Sequence, residues 1–277
     1  MKEKIKKYIP VKLGVFIKHS LFAVRGAFYY GNRYRCPVCN HSFRTMLPGG
    51  FDLKVIKEME IVGAGRREQD ICPYCQSTDR DRLVFLYLKY ETDFFKKPAS
   101  FLHIAPEPSL YHVFKKAKNI DYHPGTKYQE GFYYDSSIEV IDLMELPFKE
   151  NSLDWVMCNH VLEHIPDDIS AMREIFRVLK PGGKAVLQVP YSLKLEKTYE
   201  DDRYRTPEER EKHFGQFDHV RIYGMDYPDR LRSCGFDVEI IDQKDGLKHA
   251  GDLKKYALNP KEHLYVASKP ESIKKTL

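Results

Sequence analysis

The sequence predicts an α/β fold with a mostly parallel sheet, and a βαβ unit between residues 142 and 190 is the first observation behind it. An apolar run rich in β-forming residues lies at 153–158, and a second apolar run lies at 184–190. Between them, residues 169–179 carry apolar side chains at helical spacing. Two consecutive strands joined by a helix pair in parallel with a right-handed crossover, so this unit belongs to a parallel sheet.

The second observation is that strands and helices alternate on both sides of this unit. Within it, Pro181-Gly182-Gly183 is predicted to stop the helix, with Lys180 in the last turn. The other predicted elements are a strand at 100–104, a helix to about Ala117, strands near Asp121 and at 138–141, and late strands at 236–241 and 263–268.

Parallel sheets of this kind bind ligands outside the carboxyl ends of their strands. Most side chains that this pattern brings to that edge are polar. The residues expected there are Asp142, Asn159, His160, Glu163, His164 and Pro190.

Length and charge limit the classes of function. A chain of 277 residues suits one α/β domain with a smaller module, and an apolar fraction of 42% supplies a core. Residues 1–35 hold nine basic side chains and one acidic one, which gives this segment a net charge of +8. Because the whole chain has a net charge of +5, the remaining residues together carry −3. A nucleic-acid-binding face usually shows a basic stripe. The body shows none in sequence, which makes nucleic acid the less favoured partner.

The basic segment at residues 1–35 is also apolar and aromatic. Lys12, Lys18, His19 and Arg25 interrupt it, so it never reaches the ~18 apolar residues of a spanning helix. Two interpretations stay open. The segment lies peripherally on an anionic membrane surface, or it packs on its own domain or a second subunit.

Four of the six cysteines form two CPxC pairs, Cys36 with Cys39 and Cys72 with Cys75. Two such pairs supply the four ligands of a closed, structural zinc site. The redox alternative rests on the CPYC sequence of the second pair, but a redox motif would stand alone. The pattern favours a zinc ion over a redox pair, and it favours a protein of the reducing cytoplasm. We expect the zinc to be structural and to take no part in catalysis. His41 is a spare candidate ligand.

Several linked motifs resemble the class I S-adenosylmethionine-dependent methyltransferases, in a type 11-like branch, over residues 101–267. The motifs are Asp142 with the LPF at 146–148, SLD at 152–154, HVLEH at 160–164, and RVLKPGG at 177–183. The resemblance implies a Rossmann-like sheet with an antiparallel late strand. The predicted organisation is a basic segment (1–35), a zinc module (36–78), a linker helix (79–99) and a methyltransferase domain (100–277) with a lid insertion at about 192–225.

The resemblance also places a cofactor site, and here the chain departs from the family. The family's first motif is glycine-rich, whereas this chain has Ala105 at the first glycine position and Glu107 at the second. The same Ala-Pro-Glu turn occurs in a branch of the family, where Glu107 would accept a hydrogen bond from the methionine ammonium; capping the next helix is its alternative role. The acid that binds the cofactor's ribose in the family would fall near Thr126 in this chain. The alternative is that Asp121 ends the second strand and binds the ribose instead. The expected cofactor contacts are His103, Ala105, Glu107, Asp121, Thr126, Asp142, Leu143, Asn159 and His160.

A hydroxyl acceptor benefits from a base with a pKa near 7, and histidine is suited to that role. His160 follows the fourth strand, beside the expected methyl group. His219, with Asp218 next to it, lies in an FGQFDHVR stretch that resembles the family's acceptor lid. The predicted catalytic residues are therefore His219, His160 and Asp218. The structural alternatives are helix capping or cofactor packing for His160 and a surface loop for His219.

The resulting hypothesis is a cytoplasmic O-methyltransferase for a small-molecule, sugar or lipid-linked glycan acceptor, with S-adenosylmethionine as cofactor and a structural Zn²⁺. The link to glycans comes from the resemblance. Two alternatives remain: a zinc-containing RNA methyltransferase, and a non-catalytic binding scaffold with a degenerate cofactor site. The sequence leaves the oligomeric state open, and the basic segment would place the protein peripherally at the inner face of the membrane.

Overall fold

The computed structural model describes residues 11–127 and 137–271. The strands are β1 (Tyr30–Arg35), β2 (Ser42–Phe43), β3 (Leu47–Gly49), β4 (Ile61–Val62), β5 (Arg67–Ile71), β6 (Ala99–Ile104), β7 (Ile120–Thr126), β8 (Glu139–Val140), β9 (Leu153–Cys158), β10 (Leu179–Val186), β11 (Tyr191–Ser192), β12 (Tyr199–Glu200), β13 (Arg221–Ile222), β14 (Asp237–Ile241) and β15 (Leu264–Ser268). The α-helices are α1 (Val11–Phe28), α2 (Lys54–Glu58), α3 (Asp79–Leu86), α4 (Pro108–Phe114), α5 (Asp168–Val178), α6 (Pro207–Phe214), α7 (Tyr227–Ser233) and α8 (Gln243–Gly246).

A seven-stranded sheet forms the centre of the molecule, in the order β14-β15-β10-β9-β6-β7-β8. The five strands from β10 to β8 pair in parallel, and β15 runs antiparallel to both of its neighbours. Two large clusters of buried apolar side chains pack against it. This arrangement confirms the predicted α/β fold class, including its antiparallel late strand.

Two sequence predictions about element ends are wrong. Helix α5 ends at Val178, because Leu179 has extended backbone angles and pairs with Leu153 of β9. The next pair in the ladder is Lys184 with Trp155, so the Pro-Gly-Gly stretch bulges out of β10 instead of ending the helix. Gly182 has a φ of 77°, which a bulge of this kind tolerates best in glycine.

The second correction concerns Asp121, which is the second residue of β7 and does not end the strand. Asp121 pairs with Ser100 at the amino end of β6, whereas Gly125 pairs with Ile104 at the carboxyl end. Thr126 lies five positions after Asp121, and at about 3.3 Å per residue the two are roughly 16 Å apart along the strand. Asp121 therefore lies at the edge of the sheet opposite the one that binds ligands in such folds.

The part of the chain before the sheet is tied to it at several points. Helix α3 begins with a capping box in which Thr78 and Asp81 exchange backbone and side-chain hydrogen bonds. The buried Arg82 guanidinium donates to four carbonyl oxygens, those of Asp70, Ser77, Tyr256 and Ala257, at 2.7–2.8 Å. These bonds join the second cysteine pair to the segment before β15, so the cysteine region is packed onto the sheet.

Helix α1 covers part of the predicted basic segment, of which residues 1–10 lie outside the described residues. Ile17, Leu21, Val24 and Phe28 are exposed on it. Their spacing places them along one helical face. Among the described helices, none is both long and apolar enough to span a membrane. Contact of this segment with an anionic membrane surface stays a prediction.

Candidate functional site

The turn after β6 keeps the backbone shape of a glycine turn without the glycine. Ala105 has a φ of 49°, in the left-handed region that favours glycine, and its amide donates to the carbonyl oxygen of Gly125 at 2.8 Å. His160, just after β9, has a φ of 52°. Two non-glycine residues thus hold an uncommon conformation at the carboxyl edge of neighbouring strands, a feature that clusters at binding sites.

Glu107 lies at the centre of a hydrogen-bond network at this edge. His103 Nε2 donates to its Oε2 at 2.7 Å, Asn159 Nδ2 donates to its Oε1 at 3.0 Å, and the Tyr122 hydroxyl donates to His103 Nδ1 at 2.9 Å. Burial raises the pKa of Glu107, but the hydrogen bonds from His103 and Asn159 outweigh it and hold this pKa below its ordinary value. Although Glu107 is the N-cap residue of α4, its side chain makes no capping bond.

The other predicted cofactor contacts are spread along the same edge, with one exception. Leu143 is buried, and Asp142 is exposed and accepts a hydrogen bond from the Met144 amide at 2.9 Å. Thr126 ends β7, and its carbonyl accepts from the Ile141 amide at 3.0 Å. Asp121, at the opposite edge, lies 3.1 Å from His123 and is removed from the site.

His160 links the edge to helix α3. Arg80 Nη1 donates to His160 Nε2 at 2.5 Å, so the imidazole proton is on Nδ1, which lies 3.3 Å from Glu163 Oε1. Burial, and then the charge of Arg80, hold the pKa of His160 well below its ordinary value. His160 is therefore neutral and engaged on one side, which favours a positioning role over proton uptake.

Glu163, His164, Asp218 and His219 form a cluster next to His160. The Nε2 atoms of His164 and His219 each lie 4.0 Å from Glu163 Oε1. Asp218 lies 3.2 Å from Nδ1 of His164, and the two imidazole rings meet edge to face with centroids 4.7 Å apart. Burial raises the pKa of Glu163 to about 8 and lowers the pKa of His219 to about 4. The fold thus brings all three predicted catalytic residues to one edge, with Asp218 paired to His164.

Arg221, in the same lid stretch, has a structural role. Its guanidinium donates to the carbonyl oxygens of Leu162, Ile165 and Pro166, and to Glu200. The predicted lid also packs on the N-terminal region. Strand β11 pairs with β4, and Phe214 and Ile222 share a buried cluster with Ile56 and Ile61.

The four cysteine sulfurs converge on one point. Cys36 Sγ lies 3.6 Å from Cys75 Sγ, and Cys39 Sγ lies 3.8 Å from Cys72 Sγ. Sulfurs about 2.3 Å from a tetrahedral zinc ion lie roughly 3.8 Å apart, so the four thiols fit the predicted ion. Among the described residues this cluster contains no disulfide. His41 Nδ1 donates to the Cys39 carbonyl oxygen at 2.9 Å, and its ring stacks on Tyr74, so His41 lies outside this ligand set.

Sequence reasoning missed the contribution of helix α3. Arg80 reaches His160, and Asp81 accepts from Ser109 at 2.9 Å, with its Oδ1 buried and unpartnered among described residues. Burial, and then the charge of Glu107, raise the pKa of Asp81 to about 6. The sequence does contain a signal for this contribution, since four charged residues in a row, at 79–82, begin an otherwise apolar helix.

Known proteins are similar to parts of this chain. Residues 107–187 match the family model described as a methyltransferase domain. The matched segment runs from the Glu107 turn through β10, and it leaves the cysteine cluster and His219 outside. This segment of the chain is thus similar to a methyltransferase domain.

Two curated relatives match over short segments. They are the demethylmenaquinone methyltransferases of Staphylococcus epidermidis, 51% identical over 45 residues, and of Oceanobacillus iheyensis, 49% identical over 43 residues. Each match covers 16% of this chain, and they span 19% and 18% of the relatives' own lengths.

Solved structures match over more of the chain at low identity. The [4+2]-cyclase SpnF is 16% identical with a TM-score of 0.46, covering 72% of this chain and 84% of that one. Phosphoethanolamine N-methyltransferase 2 of Haemonchus contortus, in complex with S-adenosyl-L-methionine, is 16% identical with a TM-score of 0.44, covering 69% and 52%.

Proposed function

We propose that the protein transfers a methyl group from S-adenosylmethionine to a hydroxyl oxygen of a small-molecule, sugar or lipid-linked glycan acceptor. The observation that carries the proposal is the Glu107 network at the carboxyl edge of the sheet. It presents a carboxylate, held ionised by His103, beside the carbonyl oxygen of Asn159. Asn159 Oδ1 is buried and accepts no hydrogen bond from the described residues.

These acceptors fit the ammonium of the cofactor's methionine part. An ammonium group would donate hydrogen bonds to Glu107 and to Asn159 Oδ1. The buried Asn159 oxygen would then have the donor that the described residues do not provide. The left-handed turn at Ala105 lets backbone approach the ligand, and Asp142 and Thr126 lie further along the same edge. S-adenosylmethionine supplies an electrophilic methyl group on a sulfonium whose sulfide is a good leaving group, so the protein mainly positions the acceptor.

The acceptor would lie between the methyl group and the cluster of Glu163, His164, Asp218 and His219. His219 also lines a pocket with Ile61, Pro190 and Phe214, where the lid meets the N-terminal region. A hydroxyl in this position loses its proton to the cluster while its oxygen attacks in line. The lid and the segment at 51–64 therefore meet beside the position proposed for the acceptor.

Methyl transfer from radiolabelled S-adenosylmethionine tests the proposal. The acceptor panel comprises monosaccharides, lipid-linked glycans and total RNA, with calorimetry of S-adenosylhomocysteine as a separate measurement. Label in the sugar or glycan fraction is the expected result. Label in the RNA fraction would show that the acceptor is RNA and not a sugar or glycan. If the protein does not bind S-adenosylhomocysteine, it is a non-catalytic binding scaffold.

A further inference from the structure

Glu163 is an acidic residue buried beside His219 of the lid stretch. Its side chain is fully buried, and neither carboxylate oxygen accepts a hydrogen bond from the described residues. A buried carboxyl group without hydrogen-bond partners is destabilising, so an arrangement of this kind indicates a group that the protein normally binds there.

Imidazole nitrogens of three histidines surround Glu163 Oε1, and the nearest is His160 Nδ1 at 3.3 Å. Nε2 of His164 and Nε2 of His219 are each 4.0 Å from Glu163 Oε1. The ligand atoms of Glu163, His164 and His219 lie within 4.8 Å of one another. Ligand atoms about 2.1 Å from a tetrahedral ion lie roughly 3.4 Å apart, so small side-chain rotations would complete such a site.

A second carboxylate orients one of these imidazoles. Asp218 Oδ2 lies 3.2 Å from Nδ1 of His164, which fixes the ring and leaves Nε2 free to ligate. A carboxylate bound to the far nitrogen of a ligating histidine is a recurrent feature of metal sites, where it sets the tautomer and raises ligand basicity. His164 and Asp218 remain partly exposed, so a further ligand has access to the ion.

The backbone holds the two halves of this cluster together across more than fifty residues of sequence. The Val220 amide donates to the Glu163 carbonyl oxygen at 2.9 Å. Arg221 donates to the carbonyl oxygens of Leu162 and Ile165 on either side of Glu163 and His164. The ligand atoms are therefore mounted on a cross-linked pair of segments, which is the rigidity that a preorganised site needs.

We propose that Glu163, His164 and His219 bind a first-row divalent transition-metal ion such as Mn²⁺, Co²⁺ or Zn²⁺. Two imidazoles and one carboxylate on one side leave coordination positions open on the other. This site is separate from the cysteine cluster, whose four thiols form a closed set. A thiolate set selects zinc, whereas a nitrogen and oxygen set also takes Mn²⁺.

The site's part in the reaction rests on the proposed function. The acceptor hydroxyl oxygen would bind at an open position, where the cation lowers the pKa of the hydroxyl. The O–H bond breaks and the proton passes to water, the oxygen forms a bond to the methyl carbon, and the carbon–sulfur bond breaks with its electron pair going to sulfur. His219 then acts as a ligand, in place of the general-base role predicted from the sequence.

Titration with Mn²⁺, followed by electron paramagnetic resonance of the free ion, tests this site without measuring activity. The purified wild-type protein should bind one Mn²⁺ per chain, and its melting temperature should rise with Mn²⁺. Glu163→Gln and His219→Ala should abolish this uptake. Asp218→Asn, which leaves the three ligands in place, should weaken it by ~10–100-fold.

The matched control is His249→Ala, since His249 is exposed and pairs with Glu91 away from the sheet edge. It should bind Mn²⁺ as the wild type does. No uptake of Mn²⁺ or Co²⁺ by the wild-type protein overturns the inference, even if a variant fails to fold. Equal uptake by wild type and Glu163→Gln does so as well.

Calorimetry with S-adenosylhomocysteine separates this inference from the proposed function. If the protein binds S-adenosylhomocysteine and methylates an acceptor without Mn²⁺ uptake, the metal site is refuted and the methyl transfer stands. If it binds Mn²⁺ at these residues and no S-adenosylhomocysteine, the methyl transfer is refuted and the metal site stands.

Discussion

Asp218 pairs with His164 and not with His219, its neighbour in sequence. The Asp218 carboxylate lies 3.2 Å from Nδ1 of His164, while His219 faces Glu163 at 4.0 Å. This pairing makes Asp218 a positioning residue and gives the two histidines different surroundings. It also joins the HVLEH motif after β9 to the lid stretch before β13, two segments that carry the residues expected to act on the acceptor.

Substitution at His219 should affect turnover without affecting the cofactor. His219→Ala is expected to reduce turnover by roughly 10²–10⁴-fold, because it removes either a metal ligand or a proton acceptor beside the hydroxyl. Affinity for S-adenosylhomocysteine should stay unchanged, since His219 makes no contact with the Glu107 network. Wild-type turnover of His219→Ala on the true acceptor would exclude His219 from the reaction, and His249→Ala serves as the control.

Substitution at Asp142 tests the cofactor edge. Asp142→Ala should weaken S-adenosylhomocysteine binding by about 1–3 kcal/mol, the range for a hydrogen bond to a charged group. Asp121→Ala is the matched control, because it removes the same side chain from the opposite edge of the sheet. Calorimetry measures the affinity of both variants for S-adenosylhomocysteine. Equal losses, or a loss confined to Asp121→Ala, would contradict the placement described above.

The cysteine cluster should hold a structural ion. The purified protein is expected to contain about one zinc per chain bound by thiolates, and Cys39→Ser or Cys72→Ser should lose it together with much of the protein's solubility. Metal analysis and thermal unfolding measure the two effects. Cys234→Ser, which lies outside the cluster, should retain the zinc. Full stability of metal-free protein, or a disulfide between the two pairs, would rule the site out.

Arg82 should contribute strongly to stability. Arg82→Lys cannot satisfy all four carbonyl oxygens that the guanidinium binds, and each unsatisfied buried group is destabilising, so unfolding in urea should show a loss of about 3 kcal/mol. Arg203→Lys is the control, because Arg203 is exposed and pairs only locally with Asp201. A loss for Arg82→Lys as small as that for Arg203→Lys would mean that the cysteine region is not held by these bonds.

Glu262 should make stability depend on pH. Burial raises the pKa of Glu262 to about 7 in the folded protein, above its ordinary value of 4.5. The folded state then holds a proton that the unfolded chain releases, so this contribution to stability is complete below pH 4.5 and is lost as the pH rises through 7. Glu262→Gln cannot titrate at this position.

The measurable consequence is a difference between two proteins. Between pH 6 and pH 8, the free energy of unfolding of Glu262→Gln should rise relative to that of the wild type by on the order of 1 kcal/mol. Glu208→Gln, at an exposed position, should show no such change. Parallel curves for wild type and Glu262→Gln would show that Glu262 titrates normally.

The sequence by itself determined the elements whose stability is local. Strand β9 was predicted with its observed bounds, because its apolar run has the length of a strand and is rich in β-forming residues. The cysteine quartet followed from ligand chemistry and spacing alone. The parallel sheet with an antiparallel late strand followed from the alternation of elements and from the family resemblance.

Only the tertiary structure decided which polar side chains meet. The end of α5 depended on Leu179 entering the ladder beside Leu153, a pairing between distant residues that outweighed the Pro-Gly-Gly signal. The edge at which Asp121 lies depended on where β7 begins against β6. The contacts of Arg80 with His160 and of His164 with Asp218 cross long stretches of chain. Such contacts depend on how the elements pack, and neither periodicity nor spacing along the chain records that packing.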